Sequence, residues 1–156
     1  MLEVGNGLAL PEERTHFALW ALMKSPLMIG ARLSSLTDAQ LEILKNPRLI
    51  AFNQDPVFGA PAAPYKWGTN PDWRFNASFP AQYWAGESEQ GVFVALFNSD
   101  DKAVNMTAEF GEIPSLKGRR HRVTDVWTGE SVGLHSDRVT VGVEGHDTAV
   151  LLLPDT

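Results

Sequence analysis

HFALWALMKSPLMIG, residues 16–30, changes its period midway, and that change decides the fold. Phe17, Trp20, Ala21 and Lys24 recur at helical spacing. Just upstream, Pro11, Glu12 and Glu13 supply a first turn, where proline has no needed amide hydrogen to lose and the helix dipole favours carboxylates. Ser25-Pro26 stops the helix, because proline pushes the residue before it into extended conformations. Residues 26–30, PLMIG, are then a short uninterrupted apolar run, the pattern of a strand covered on both faces in a parallel sheet.

Working outward, the same alternation continues on both sides. Met1-Leu2-Glu3-Val4 has the form of a strand end, and Gly5-Asn6-Gly7 turns toward the helix. Downstream, Thr37-Asp38-Ala39-Gln40 is a capping box, Leu41 and Leu44 give an apolar stripe, Asn46-Pro47 ends it, and RLIAFN (48–53) is another short helical turn. Strand, helix, strand, helix is the βα repeat of a parallel sheet or barrel. Two such units cannot close a barrel, so Phe17, Trp20, Leu27, Met28 and Ile29 are expected to find almost nothing to pack against. On that reading residues 1–55 are the less stable half.

Six of the ten prolines lie between Pro47 and Pro80, which marks residues 56–79 as a connection. After it the period becomes two: AQYWAG (81–86), GVFVALFN (91–98), AVNMTAEF (103–110), HRVTDVW (121–127), SVGL (131–134), RVTVGV (138–143) and DTAVLLL (147–153) are rich in β-branched and aromatic residues and separated by turn signals. They predict an antiparallel β-sandwich over 80–156. The fold class is therefore α/β followed by all-β.

Composition narrows the function. A net charge of −6 without a run of like charges argues against nucleic acid, and Arg119-Arg120-His121-Arg122, the one basic cluster, sits at a strand entrance as a solvated edge. No apolar run reaches the length of a membrane span. The chain has no cysteine, which removes thiolate chemistry, and His16, His121, His135 and His146 show no ligand spacing, so neither metal nor cofactor is expected. Two acceptor triplets for N-glycosylation, at Asn76 and Asn105, point outside the cell; Asn105 falls on the polar face of an alternating strand.

Eight pieces in order, MLEVGNG, HFALWALMKSPLMIG, ILKN, AFNQDPV, PYKWGTNPDWRFN, YWAG, DVWTGE and HDTAVLLL, closely resemble the carboxyl-terminal half of secreted, fungal-type α-galactosidases of the melibiase-like glycoside hydrolase family. The resemblance implies a (β/α)8 TIM barrel whose last βα units are residues 1–55, with PLMIG as the eighth strand, followed by the sandwich. It implies retaining hydrolysis of terminal α-linked galactose by two Asp residues on earlier strands, so no catalytic residue is expected within this chain. Its partners would be the galactoside and the amino-terminal portion of the barrel. Met1 would follow an Asp-Pro-Asp at the end of the seventh strand and line the sugar pocket. The same resemblance leaves open a sibling activity on α-N-acetylgalactosamine or β-L-arabinopyranose. An accessory carbohydrate-binding module built on Tyr65, Trp67, Trp73, Tyr83 and Trp84 is the alternative of another class. Two departures adjoin the pocket face: the Asn6-Gly7 loop looks one residue short, and Ala31-Arg32 stands where an Asp usually precedes the Leu.

The local acids do not make a pair. Glu3 lies near the expected rim alone, Glu12 and Glu13 read as first-turn helix acids, and Asp55 as a turn former.

Overall fold

The computed structural model describes residues 1–68 and 78–154. Among them are three α-helices, α1 (Leu10–Leu22), α2 (Asp38–Leu44) and α3 (Pro47–Asn53). Eight strands follow: β1 (Ala63–Lys66), β2 (Tyr83–Ser88), β3 (Gly91–Phe97), β4 (Val104–Glu109), β5 (Arg120–Asp125), β6 (Ser131–Ser136), β7 (Arg138–Val143) and β8 (Thr148–Leu153).

Local chemistry explains the helix ends. The Glu12 carboxylate accepts the Ala9 amide at 2.7 Å and caps α1. At its other end Lys24 adopts φ 53°, and the Ser25 and Lys24 amides return to the Trp20 and Ala21 carbonyls at 3.1 and 3.0 Å, a double closure of the last turn that precedes Pro26. Lys24 also donates through Nζ to the Phe52 carbonyl near the end of α3, 2.6 Å away. The expected box opens α2: Thr37 Oγ1 accepts the Gln40 amide and Gln40 Oε1 accepts the Thr37 amide. Asn46 opens α3 by accepting the Arg48 and Leu49 amides, and donates to the Val126 carbonyl across the molecule.

The architecture has three layers. A six-stranded antiparallel sheet in the order β1-β2-β3-β8-β5-β6 carries the helices on one face and the β4-β7 ribbon on the other. Alternation sorts β3 between two cores: Phe93 and Ala95 join Phe17, Leu44, Leu49 and Phe52 on the helix side, while Val92, Val94 and Leu96 join Met106, Phe110 and Val139 on the ribbon side. On β8, Val150 and Leu152 face the helices, and Leu151 and Leu153 the ribbon. Both strands are apolar without interruption because both of their faces are covered.

Three expectations are corrected here. Phe17, Trp20 and Leu27 do find partners: they pack in or against a core that includes the central sheet and is shared by residues from both ends of the chain. The segment 26–30 forms no regular strand. It makes a single parallel bridge, Leu2 to Ile29, with the Leu2 amide on the Met28 carbonyl (2.7 Å) and the Gly30 amide on the Leu2 carbonyl (3.1 Å). With no neighbour on its other side, Met28 and Ile29 stay 57% and 43% exposed. The proline-rich segment, finally, contains β1; Pro64 is tolerated because β1 is an edge strand with an irregular register at Pro64–Lys66.

Gly86 on β2 shows how close the helices come. A β-carbon there would lie 2.7 Å from Phe52 Cζ and 3.0 Å from Ala62. Gly86→Ala is expected to destabilise the protein by about 1–3 kcal/mol through overpacking, measured as a lower urea midpoint at unchanged slope. An unchanged midpoint would mean that α3 yields without cost.

Candidate functional site

The end of the molecule where the two parallel segments finish collects the residues expected at a sugar pocket. Met1 is 64% exposed. A methyl group on Gly30 would sit 3.4 Å from Met1 Cβ and 2.8 Å from the Leu2 carbonyl, so the two segment ends touch at the rim. Beyond Gly30 run Ala31, half-buried, and Arg32, exposed. Leu33, Met28 and Ile29 add exposed apolar surface. On the outer side of α1, Leu8, Leu19, Trp20 and Met23 line an open groove of ≈ 450 Å³.

Three acids near this end, Glu3, Glu12 and Glu13, are committed to the scaffold. Glu3 Oε2 accepts from Asn6 Nδ2 at 2.8 Å, and Glu12 caps α1. The Glu3 amide donates to His16 Nε2 at 3.0 Å, a bond that needs that nitrogen unprotonated. Burial lowers the His16 pKa and keeps it so, with the Glu3 charge working the other way. Glu13 is not the surface acid expected of a first helical turn: it is 1% exposed and accepts from the Gly5 amide at 2.7 Å and from Gln40 Nε2 at 2.9 Å. Asp55 is the turn former it was read as. It accepts the Val57, Phe58 and Glu89 amides, and these backbone donors hold its carboxyl below the usual range.

The aromatic group of the linker is divided by alternation rather than gathered into a platform. Tyr65 and Tyr83 meet edge to face at 6.0 Å and pack on the ribbon-side core, whereas Trp84 packs on the helix-side core and donates to the Ala81 carbonyl. Burial pushes the Tyr65 phenol pKa up. Trp67 is half-buried, and Trp73 lies outside the described residues. So does Asn76; Asn105 is exposed on β4 opposite Gly142. No group of three or more potential metal ligands occurs among the described residues.

A clamp that sequence spacing could not show joins α1 to the sheet over more than 130 positions. Arg14 Nε donates to Asp147 Oδ1 at 3.0 Å with its guanidinium 4.7 Å from the Trp127 ring centroid, and Thr15 Oγ1 donates to the His146 carbonyl at 2.7 Å. Burial raises the Asp147 pKa, and the Arg14 charge opposes that rise.

Two family models match the chain. The family model described as Alpha galactosidase A matches residues 1–55, and the Alpha galactosidase C-terminal beta sandwich domain matches 78–153. A protein of Aspergillus oryzae named Probable alpha-galactosidase B is 52% identical over 164 residues; the alignment takes in 100% of this chain and 37% of that protein. The chain thus spans little more than a third of that relative's length. Among solved structures, α-galactosidase I from Mortierella vinacea superimposes with a TM-score of 0.83 at 32% identity, over 100% of this chain and 38% of the other. The α-galactosidase from Saccharomyces cerevisiae with raffinose gives 0.81 at 25% identity, over 99% and 46%.

Proposed function

The chain belongs to the melibiase family of α-galactosidases, and from that premise we propose that it supplies the last two βα units and the sandwich of a retaining enzyme that removes terminal α-linked galactose. The observation that carries the reading is the 52% identity, along the whole of this chain, to the Aspergillus oryzae protein named Probable alpha-galactosidase B. Retention calls for two carboxyl groups about 5–5.5 Å apart across the glycosidic bond, one to form the glycosyl intermediate and one to protonate the leaving oxygen. Glu3, Glu12 and Glu13 are each bound to the scaffold, so the reacting pair comes from the rest of the barrel. What this chain contributes is shape. Met1 would offer an apolar flank to the sugar ring, as pockets combine apolar walls with a few fixed polar groups. Met28, Ile29 and Leu33 at the rim and the groove on α1 give the rest of the barrel an apolar face to close on.

A chimera tests this directly. The preceding part of the Aspergillus oryzae relative is joined to residues 1–156 and assayed on 4-nitrophenyl α-galactoside, with the anomer of released galactose followed by NMR. Turnover with the α-anomer appearing first is the expected result. A folded chimera without turnover, or one releasing the β-anomer first, rejects the reading.

We also propose that the protein works outside the cell, on the support of its acceptor triplets. Asn105 is exposed, and across the ribbon from it Gly142 leaves room for a glycan. Expressed through the secretory route of a fungal host, the protein is expected to carry a glycan on Asn105, read as conversion to Asp after enzymatic deglycosylation in heavy-oxygen water. Asn76 is examined in the same digest. An unmodified Asn105 in secreted material defeats the assignment.

A further inference from the structure

Glu13 sits where neither helix capping nor packing requires it. Glu12, the neighbouring acid, already accepts the Ala9 amide at the start of α1 from the exposed side. Glu13 faces inward and is 1% exposed; a leucine could bury there without the cost of taking a carboxylate out of water, which is tolerable only when donors surround it. Its donors come from two separate loops. Oε1 receives the Gly5 amide at 2.7 Å, in the turn after the first parallel segment, and Gln40 Nε2 at 2.9 Å, at the start of α2 after the second. Gln40 is itself fixed, since its Oε1 holds the Thr37 amide at 2.9 Å.

The two loops also touch above this carboxylate. Gly5 has φ +90°, and a β-carbon on it would lie 2.4 Å from Leu36 Cδ2 and 3.1 Å from Ala31 Cβ, so only glycine lets the first turn rest on the second. Gly5 to Glu13 to Gln40 to Thr37 is therefore one hydrogen-bonded chain beneath the rim that carries Met1, Gly30, Ala31 and Arg32.

We infer that Glu13 is a positioning residue: one carboxylate oxygen sets the Gly5 turn and the 31–37 loop at a common height, and so fixes the rim of the sugar pocket. The assignment of the rim to a sugar pocket rests on the α-galactosidase reading; the coupling of the two loops does not.

The test is amide hydrogen exchange by NMR in residues 1–156, with Val94 and Leu151 in the central sheet as controls. In Glu13→Leu, Gly5 exchange is expected to quicken roughly ten-fold or more, the loss of one charge-assisted hydrogen bond, with the controls unmoved. Glu13→Gln retains an acceptor oxygen and is expected to restore protection, whereas Glu13→Met, of similar length but without that acceptor, is expected not to, a contrast that a purely packing role for the side chain would not produce. Gln40→Met leaves α1 intact and serves if Glu13→Leu fails to fold; it is expected to expose the Thr37 amide and to quicken Gly5 measurably. Gly5 exchange unchanged in Glu13→Leu, or as fast in Glu13→Gln as in Glu13→Leu, overturns the inference, as does Gly5 unmoved in Gln40→Met. An inactive chimera with wild-type Gly5 protection would dismiss the galactosidase reading and leave the loop coupling standing.

Discussion

Residues 1–156, folded and alone, are expected to hydrolyse an aryl α-galactoside no faster than buffer does. Glycosidase acceleration comes from a nucleophile and an acid held across one bond, and enzymes of all kinds draw a factor of about a million or more from such arrangements. Glu3, Glu12 and Glu13 cannot take these roles without leaving their partners: Glu3 would abandon Asn6, Glu12 the Ala9 amide, and Glu13 both Gly5 and Gln40. The whole acceleration of the chimera is therefore expected to be absent from the shorter chain. Turnover surviving removal of host galactosidase and abolished by Glu3→Gln would show that a carboxylate of this end does react.

Phe52→Ala is expected to cost about 3–5 kcal/mol, the range for emptying a buried phenylalanine site. The ring is 0% exposed and stands 5.0 Å from the Phe93 ring, under the Lys24 ammonium and against Gly86. For a chain of this size that loss corresponds to a melting point lower by roughly 6–20 °C. The shape of the transition matters as much as its midpoint. Because Phe52 packs in a core drawn from α1, α3, β3 and β8, helix ellipticity and tryptophan fluorescence should be lost together. Two separated transitions, with only the helical signal shifted, would mean that the helices rest on the sheet without sharing its stability.

Much of this organisation was legible in the sequence, for reasons that the particular residues make plain. The capping box at Thr37 and Gln40 is local chemistry and forms as read. The strands from β2 to β8 follow β-branched and aromatic enrichment and turn residues, which act over a few positions. What a stripe of apolar residues does not state is its counter-face. The spacing of Phe17 and Trp20 fits a barrel equally well, yet they pack in or against the core that includes the sheet. A signal for this was present: GVFVAL and AVLLL are apolar on successive residues, which a strand bare on one face would not be. The part of the site that escaped notice is the part built from distant residues. Glu13 looks like any first-turn acid until Gly5 and Gln40 close on it, and the Arg14–Asp147 pair spans too much chain for spacing to betray it. The edge strand β1 hid behind Pro64, which an interior strand would exclude.

The uneven exposure of the methionines gives the molecule a chemical wear pattern. Met1, Met23 and Met28 are exposed at 64%, 42% and 57% on the helical side, while Met106 is 4% exposed between the sheets. Mild peroxide should convert the first three to sulfoxides and spare the fourth, since a thioether must be reached to be oxidised. Each sulfoxide places a polar, chiral group on an apolar surface. Oxidative ageing would therefore erode the face on which a barrel closes while leaving the sandwich intact, and shielding of Met23 and Met28 from peroxide would report, residue by residue, that the face had been covered.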